Sequence, residues 1–184
     1  MTIQETHLKG LYVIEPTVFK DSRGYFYESY SYAGFENAGL KISFVQDNQS
    51  KSSFGVIRGL HYQIGPKAQT KLVRAIRGRI WDIAVDVRKG SPTYGQWFGV
   101  ELTDENYKQL LIPKGFAHGF SVLSEAAVLY YKCDEFYAPE FDAGIQYNDP
   151  SLNIDWKIPA EKILISEKDS KLPSFMNAKN NFSF

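Results

Sequence analysis

Short segments in which apolar and polar residues alternate dominate this chain, and Gly, Pro, Asn and Asp separate them. In Ile80–Val87, the clearest segment, every second residue from Trp81 to Val87 is apolar, while Asp82 and Asp86 lie on the other face. A repeat of two residues is typical of a β-strand. The other predicted strands are Leu11–Glu15, Tyr25–Tyr30, Phe44–Asn48, Val56–Gln63, Lys71–Ile76, Trp97–Leu102, Gln109–Ile112, Phe116–Leu123 and Ala127–Lys132.

Helical patterns are few and short. The sequence predicts a helix over Tyr32–Ala38, with Gly39 as its C-terminal cap, and one or two helical turns within Ala160–Leu172. Many short strands joined by turns, with little helix, favour an all-β sandwich or barrel. Periodicity alone does not give the order of the strands.

The composition is that of one neutral globular domain. The 184 residues (21.0 kDa) match the size of a single domain, here residues 1–184, and 43% apolar residues are enough to form a core. The 21 Lys and Arg residues balance 21 Asp and Glu residues. This balance argues against binding to nucleic acid or to a membrane surface through bulk charge.

Weaker signals predict the cellular location. The longest uncharged apolar stretch, Ala126–Tyr131, is too short to span a bilayer. Residues 1–7 show neither the basic nor the apolar region of a signal peptide. The single cysteine, Cys133, cannot form an internal disulfide, so we expect a protein of the reducing cytoplasm.

Only three histidines are available for acid–base or metal chemistry. His7 lies in an N-terminal segment that we expect to be mobile. His61 follows Arg58 and Gly59 in a predicted strand, where a bulge at Gly59 turns both Arg58 and His61 inward. His118 lies where a turn enters a strand. Metal-free acid–base chemistry is favoured because there is no His-x-His and no cysteine pair, although a mixed metal site of His61, His118 and a carboxylate stays open.

Other polar residues are candidates, but none is specific alone. Alternation puts Lys71 and Arg74 on opposite faces of a strand, and it turns either Tyr130 or Tyr131 toward the core or a cavity. Asp169 has the surroundings of a surface or helix-capping carboxylate. No glycine-rich phosphate loop or nucleophile elbow occurs.

A series of motifs runs from about residue 10 to about residue 170. The motifs are Asp21–Ser29, Phe44–Lys51, Val56–Gln63, Gln69–Arg74, Asp82–Arg88, Ser91–Trp97, Ile112–Phe120, Tyr131–Lys132 and Asn148–Asp149. In this order and spacing they resemble the dTDP-4-dehydrorhamnose 3,5-epimerase family of the cupin superfamily. The resemblance implies an all-β cupin jelly-roll barrel with a few short helices, a homodimer, and no metal or organic cofactor.

The resemblance also implies a reaction and four catalytic residues. The reaction inverts the two carbons, C3 and C5, that flank the C4 ketone of a nucleoside-diphosphate 4-keto-6-deoxy sugar. His61 is implied as the base, with Asp169 orienting its imidazole, and Tyr131 as the acid on the opposite face of the ring. Lys71 is implied beside the C4 oxygen, where negative charge develops.

Further positions match residues that bind the substrate. Arg58, His118 and Asp82 are implied as pocket residues, and the turn residue Arg23 as a diphosphate contact. The other implied substrate-binding residues are Phe26, Glu28, Gln46, Asn48, Tyr137 and Lys168. The resemblance implies that the partner subunit supplies part of this region. Exchange of the N-terminal segment between subunits stays open, and residues 173–184 are expected to form a tail.

Two departures from the family pattern leave the exact substrate open. Phe136 stands where the family usually has the first of two tyrosines, and Tyr147 stands at a position that is commonly tryptophan. Loss of a hydroxyl near the nucleotide end can change base preference without changing proton chemistry. A GDP-linked sugar, a heptose, and inversion at C3 alone are therefore alternatives.

Two hypotheses from other classes complete the set. One is a metal-dependent cupin enzyme, which the absence of His-x-His disfavours. The other is a non-catalytic module that binds sugar nucleotides, which the presence of both His61 and Tyr131 disfavours.

Overall fold

Two antiparallel β-sheets carry most of the ordered backbone in the computed structural model, which describes residues 1–184. The all-β prediction is confirmed. The strands are β1 (Thr2–Glu5), β2 (Tyr12–Glu15), β3 (Phe19–Asp21), β4 (Gly24–Phe26), β5 (Gln46–Ser53), β6 (Ile57–Gln63), β7 (Lys71–Arg77), β8 (Arg79–Asp86), β9 (Trp97–Thr103), β10 (Gln109–Ile112), β11 (Phe116–Val122), β12 (Ala126–Cys133) and β13 (Asp142–Gly144). The α-helices are α1 (Tyr32–Asn37) and α2 (Glu167–Ser170).

From β5 onward, most strands that follow each other in the chain lie on different sheets, although β8 and β9 pair directly. The six-stranded sheet has the order β1-β2-β10-β7-β12-β5, and the five-stranded sheet has the order β13-β6-β11-β8-β9. Strands β3 and β4 form a separate hairpin. The chain therefore crosses from the larger sheet to the smaller one between β5 and β6, and it crosses back between β6 and β7.

Apolar side chains from both sheets meet in the interior. A cluster of 14 buried residues contains Val73 and Leu129 from the larger sheet and Ile80 and Phe120 from the smaller one. Burial of this size is the main source of stability for such a domain. At one end of the interior, polar side chains replace apolar ones, and a cavity opens there.

The outer face of the five-stranded sheet is buried as well. Ile83, Val85 and Val87 of β8 and its extension pack against residues from the C-terminal third of the chain, including Trp156 and Phe175. Both faces of β8 are therefore covered. This double burial explains why the segment Ile80–Val87 also carries apolar residues on its second face.

The short helices match their predictions. The Ser31 side chain caps α1 by accepting a hydrogen bond from the Gly34 N–H, and Gly39 has a positive φ of 83° beyond its end. Within residues 160–172 there are a 3-10 turn at Ala160–Lys162 and the single turn of α2. None of the helical segments has the length and apolar character needed to cross a membrane.

Two strand predictions need correction, and three strands were missed. Tyr25–Tyr30 does not form one strand, because only Gly24–Phe26 pairs, in an exposed hairpin that has no sheet to bury an apolar face. The strand predicted at Phe44–Asn48 begins at Gln46 and extends to Ser53. The inward face of β5 is polar because it lies on the cavity side of the sheet. The sequence of β5 therefore lacks the alternation of apolar residues that would show where the strand begins and ends. Strands β1, β3 and β13 are short and were not predicted.

Both chain ends are ordered, which corrects the expectation of a mobile N-terminus. Strand β1 pairs with β2, and the His7 ring lies 6.0 Å from the Phe98 ring between centroids. At the other end, the Phe184 N–H donates to the Lys89 carbonyl at 3.0 Å. The tail is thus attached to the barrel.

Candidate active site

A cavity of about 530 Å³ lies between the two sheets, and both sheets contribute to its wall. Among the residues implied by the family resemblance, those that line it are Arg58, His61, Lys71, His118, Tyr131, Lys168 and Asp169. Half of the site residues implied by the resemblance therefore line one cavity. The remaining wall is largely apolar and includes Phe120, Leu129 and Leu164.

A bulge in β6 aims two residues of the same strand into this cavity. His118 of β11 lies opposite His61, and Phe120 lies opposite Arg58, so β6 has one extra residue between the two pairs. The prediction of a bulge at Gly59 is confirmed. Gly59 has a φ of 119°, and a Cβ there would lie 2.6 Å from the Gly119 Cα, so only glycine fits.

His61 is paired with a buried carboxylate. Its Nε2 lies 2.8 Å from Oδ1 of Asp169, while Oδ2 of Asp169 accepts the Gly59 N–H at 3.2 Å. Ser166 caps the turn of α2 that carries Asp169, because its Oγ accepts the Asp169 N–H at 3.0 Å. Since Nε2 is occupied, Nδ1 is the nitrogen of His61 left free for a ligand.

The surroundings of Asp169 keep it ionised. Burial raises its pKa, but the hydrogen bond and charge of His61, together with hydrogen bonds from Gly59 and Ser166, outweigh burial and lower the pKa below its usual value. An ionised carboxylate against Nε2 fixes the tautomer of His61 and stabilises the imidazolium that forms when His61 takes a proton.

A second histidine–aspartate pair lies beside the first. His118 Nε2 is 2.8 Å from Oδ1 of Asp82, which is fully buried. The other oxygen, Oδ2, has no hydrogen-bond partner. Asp82, expected to line the pocket, instead lies behind His118 and away from the cavity wall. Its contact with a ligand in this cavity is therefore indirect.

Tyr131 and Lys71 occupy the facing wall, on β12 and β7. The Lys71 Nζ lies 5.9 Å from the centre of the Tyr131 ring. Burial raises the pKa of Tyr131, and burial lowers the pKa of Lys71. The expected alternation is confirmed, since Tyr130 and Arg74 point to the opposite face, where the Tyr130 hydroxyl donates to Asp47 at 2.6 Å.

Two more cations border the cavity. The Nε of Arg58 donates to the Ser52 Oγ at 3.0 Å, and the Lys168 Nζ lies 2.6 Å from Oδ2 of Asp142. Ser52 and Asp142 had not been singled out in the sequence. The spacing Ser166-x-x-Asp169 was a readable capping signal, whereas nothing local to Ser52 or Asp142 points to these contacts.

Three of the residues implied for the nucleotide lie near one end of β5. The Gln46 side chain donates to Asn48 Oδ1 at 3.0 Å and accepts the Tyr137 N–H at 2.9 Å. Asn48 lies directly opposite Tyr131 in the sheet. The Tyr137 side chain is exposed. These three residues are grouped around the Tyr131 side of the cavity but do not line the enclosed part.

The other three lie away from this cavity. Arg23 and Phe26 belong to the hairpin β3–β4, where Phe26 is exposed and Arg23 pairs with Asp21 at 2.6 Å. Phe26 and Glu28 line a separate depression together with Phe19 and Tyr30. Within one chain, the structure does not bring Arg23, Phe26 or Glu28 to His61.

A protein metal centre needs three or four ligand side chains around one point. No group of three or more His, Cys, Asp or Glu side chains is arranged to hold a metal ion. Each histidine of the cavity has its Nε2 on a separate carboxylate.

Comparison with known proteins decides the family. The model of the dTDP-4-dehydrorhamnose 3,5-epimerase family matches residues 5–177. The chain belongs to this family. A dTDP-4-dehydrorhamnose 3,5-epimerase from Methanothermobacter thermautotrophicus is 53% identical over 166 residues, covering 90% of this chain and 89% of that protein. The epimerase family consists of isomerases, and this chain is an isomerase.

Solved structures of the epimerase family agree with this fold. The dTDP-4-dehydrorhamnose 3,5-epimerase from Elizabethkingia anophelis is 54% identical, with a TM-score of 0.92 over 96% of this chain and 97% of that one. The dTDP-6-deoxy-D-glucose-3,5-epimerase from Legionella pneumophila, solved in complex with dTDP-4-keto-L-rhamnose, is 47% identical, with a TM-score of 0.92 over 96% of this chain and 93% of that one. The expected cupin jelly roll is confirmed.

Proposed function

We propose that this epimerase inverts C3 and C5 of a dTDP-linked 4-keto-6-deoxy sugar, with His61 as the base and Tyr131 as the acid. One observation carries the proposal: His61 and Tyr131 line the same cavity from facing sheets. Inversion at carbon needs a proton removed from one face of the ring and returned to the other. A base and an acid on opposite walls supply that arrangement.

The first step forms an enolate. His61 Nδ1 takes the proton from the carbon beside the C4 ketone, and the electrons of the broken C–H bond form a carbon–carbon double bond to C4. The C4 oxygen then carries the negative charge. Asp169 stabilises the imidazolium through its contact with Nε2, so His61 needs no other counter-charge.

The enolate oxygen is stabilised by a cation in a poorly hydrated wall. Lys71 is expected to lie beside this oxygen, where its ammonium favours the enolate more than the neutral ketone. Burial lowers its pKa, because a poorly hydrated ammonium loses stability. When the enolate forms, its negative charge stabilises the Lys71 ammonium. The interaction between Lys71 and the C4 oxygen is therefore stronger in the transition state than in the ground state. His118, with Asp82 behind it, adds a polar group to the pocket near the sugar.

The second step returns a proton from the opposite wall. Tyr131 gives its hydroxyl proton to the carbon, the enolate electrons form the new C–H bond, and the C4 carbonyl is rebuilt. Because burial raises the pKa of Tyr131, it holds its proton until the enolate is present. Solvent then takes the proton from the His61 imidazolium and returns a proton to the Tyr131 phenolate. The cycle repeats at the second carbon.

The nucleotide is proposed to extend toward the Tyr131 side of the cavity. Gln46, Asn48 and Tyr137 are grouped there, and Lys168 offers positive charge for the diphosphate. We propose a homodimer in which the hairpin residues Arg23, Phe26 and Glu28 complete the site of the partner subunit. This proposal is supported by their exposure and by their distance from the cavity of their own chain. We expect cytoplasmic function without a metal or organic cofactor.

Solvent exchange tests the proposed reaction. The protein is incubated in D₂O with dTDP- and GDP-linked 4-keto-6-deoxy sugars, and C3 and C5 are followed by NMR. The expected result is deuterium at both carbons of the dTDP sugar, with inverted products. Deuterium at C3 alone would reduce the activity to a 3-epimerase, and faster exchange in the GDP sugar would change the assigned nucleotide. No exchange at either carbon would refute the proposal.

A further inference from the structure

Arg58 is held in the cavity at a single atom. Its Nε donates to the Ser52 Oγ at 3.0 Å, and its two terminal nitrogens have no hydrogen-bond partner in the protein. The residue is exposed within the open cavity, while Ser52 is buried. Lys168, in contrast, already pairs with a carboxylate. Ser52 is therefore the one polar contact that fixes the direction of the Arg58 guanidinium.

The contact joins the two walls of the barrel. Ser52 lies near the end of β5 in the six-stranded sheet and points inward opposite Ala127, and Arg58 lies near the start of β6 in the five-stranded sheet. The turn between them includes Gly55, where a Cβ would lie 2.2 Å from the Lys162 carbonyl oxygen. The corner is therefore closely packed, and the hydrogen bond spans it.

The free end of Arg58 is within electrostatic reach of Tyr131. Both side chains line the cavity, and the positive charge of Arg58 lowers the pKa of Tyr131 in opposition to the larger, raising effect of burial. A long exposed arginine samples many rotamers, so its effect on a fixed phenol depends on how well it is held. Because the guanidinium is planar, the hydrogen bond at Nε also fixes the direction of the two terminal nitrogens.

We propose that Ser52 is a positioning residue, which holds the Arg58 guanidinium so that it stabilises the phenolate left when Tyr131 gives up its proton. This inference rests on the proposed function, because it needs Tyr131 to act as the acid. Ser52 itself touches neither substrate nor the reacting atoms. Its contribution comes from preorganising a charge where negative charge develops.

The test separates proton return from proton removal. A substrate carrying deuterium at C3 and C5 is incubated in H₂O, and loss of deuterium is compared with formation of inverted product. Ser52→Ala is expected to lower product formation roughly 10-fold, since it removes a hydrogen bond to a charged group. Deuterium loss should fall less, and KM should change little. Ser53→Ala, the exposed neighbour on the outer face, should behave like the wild type, and Ser52→Thr should restore most of the activity.

A double-mutant cycle tests whether Ser52 acts through Arg58. Arg58→Lys keeps the charge but has no Nε–H at the position that reaches Ser52, so it should show the same signature. Adding Ser52→Ala to Arg58→Lys should then cause no further loss. If Ser52→Ala folds poorly, the single variant Arg58→Lys still tests the inference.

Three patterns of altered activity would overturn the inference. They are an equal loss of deuterium washout and product, a rise in KM with kcat unchanged, and the same effect of Ser52→Ala in both backgrounds. If the wild type itself shows no exchange, the proposed function fails instead. An active wild type with an equally active Ser52→Ala variant overturns only the role of Ser52.

Discussion

The two histidine–aspartate pairs of the cavity share one contact and differ in everything around it. In each pair the histidine Nε2 lies 2.8 Å from a carboxylate Oδ1. The His61 side chain is 30% exposed, whereas His118 is 8% exposed. Asp169 also accepts the Gly59 N–H through its second oxygen, whereas the second oxygen of Asp82 is buried without a partner.

This difference supports the proposal that His61 transfers the proton, whereas His118 forms part of the cavity wall. His61 reaches the open cavity, and its carboxylate is held ionised by donors other than the histidine. His118 is nearly enclosed, and its carboxylate depends on it alone. A histidine–aspartate contact is therefore not enough to identify a base, since access to the ligand and support of the carboxylate decide the role.

Removal of each imidazole should show the largest difference between the pairs. His61→Ala should abolish solvent exchange at both carbons, because general bases typically contribute about 10²- to 10⁴-fold. Nucleotide affinity, measured by calorimetry with dTDP, should change little. His118→Ala should keep measurable exchange. If His118→Ala abolished exchange and His61→Ala preserved it, the assignment of the base would be reversed.

The facing wall should respond differently from the His61 pair. Tyr131→Phe removes the proposed acid but leaves the proposed base, so product formation should fall by about 10²-fold or more, while deuterium washout from labelled substrate continues. NMR of the same reaction reports both quantities. Tyr130→Phe, on the outer face of the same strand, is the matched control. Equal loss of both steps would argue against Tyr131 as a dedicated acid.

Asp169→Asn should weaken the first pair without removing the base. We expect a smaller loss of activity than for His61→Ala, because the imidazole remains while its charge partner is lost. The new N–H₂ faces either the Gly59 N–H, where two donors oppose each other, or His61 Nε2, which then accepts and leaves the imidazole proton on Nδ1. The free energy of unfolding should fall by about 1–3 kcal/mol, measured by urea denaturation.

The pH dependence of stability offers a separate measure of the same carboxylate. The pKa of Asp169 is below 3.8 in the folded protein, so its stabilising effect is complete above that value and is lost as pH falls through the folded pKa. Wild-type stability should therefore decline more steeply below about pH 4 than that of Asp169→Asn. Parallel curves for the two proteins would show that Asp169 does not titrate in this range.

The contrast between the pairs also shows which parts of the site were readable in the sequence. Local rules were sufficient for β8 and for the bulge at Gly59, because these depend on alternation or on one glycine. Alternation also showed that either Tyr130 or Tyr131 faces inward, and the family resemblance selected Tyr131. The family resemblance supplied Asp169. Its contact with His61 joins residues far apart in the chain, and periodicity carries no information about such a contact.

The remaining differences have the same origin. The position of Asp82 behind His118 depends on how β8 pairs with β11, which the pattern of either strand leaves undetermined. The polar strand β5 was underestimated because one of its faces borders a cavity. The aromatic residues from Tyr25 onward have strand-like composition, but their hairpin pairs with neither of the two large sheets, so composition did not translate into a long strand.

The smallest effect is expected at the second pair. Asp82→Asn keeps the shape of the side chain, and its Oδ1 can accept the Nε2–H of a neutral His118. The new N–H₂ occupies the position of an oxygen that has no partner, so no existing hydrogen bond is broken. A buried charge is removed at the same time, which offsets the loss of pairing. The free energy of unfolding should therefore change by less than about 1 kcal/mol, and activity should fall by less than for Asp169→Asn.

Urea denaturation and exchange kinetics on both variants provide the comparison. A destabilisation by Asp82→Asn larger than that by Asp169→Asn would mean that the histidine–aspartate contact at His118, rather than the one at His61, is the better supported of the two.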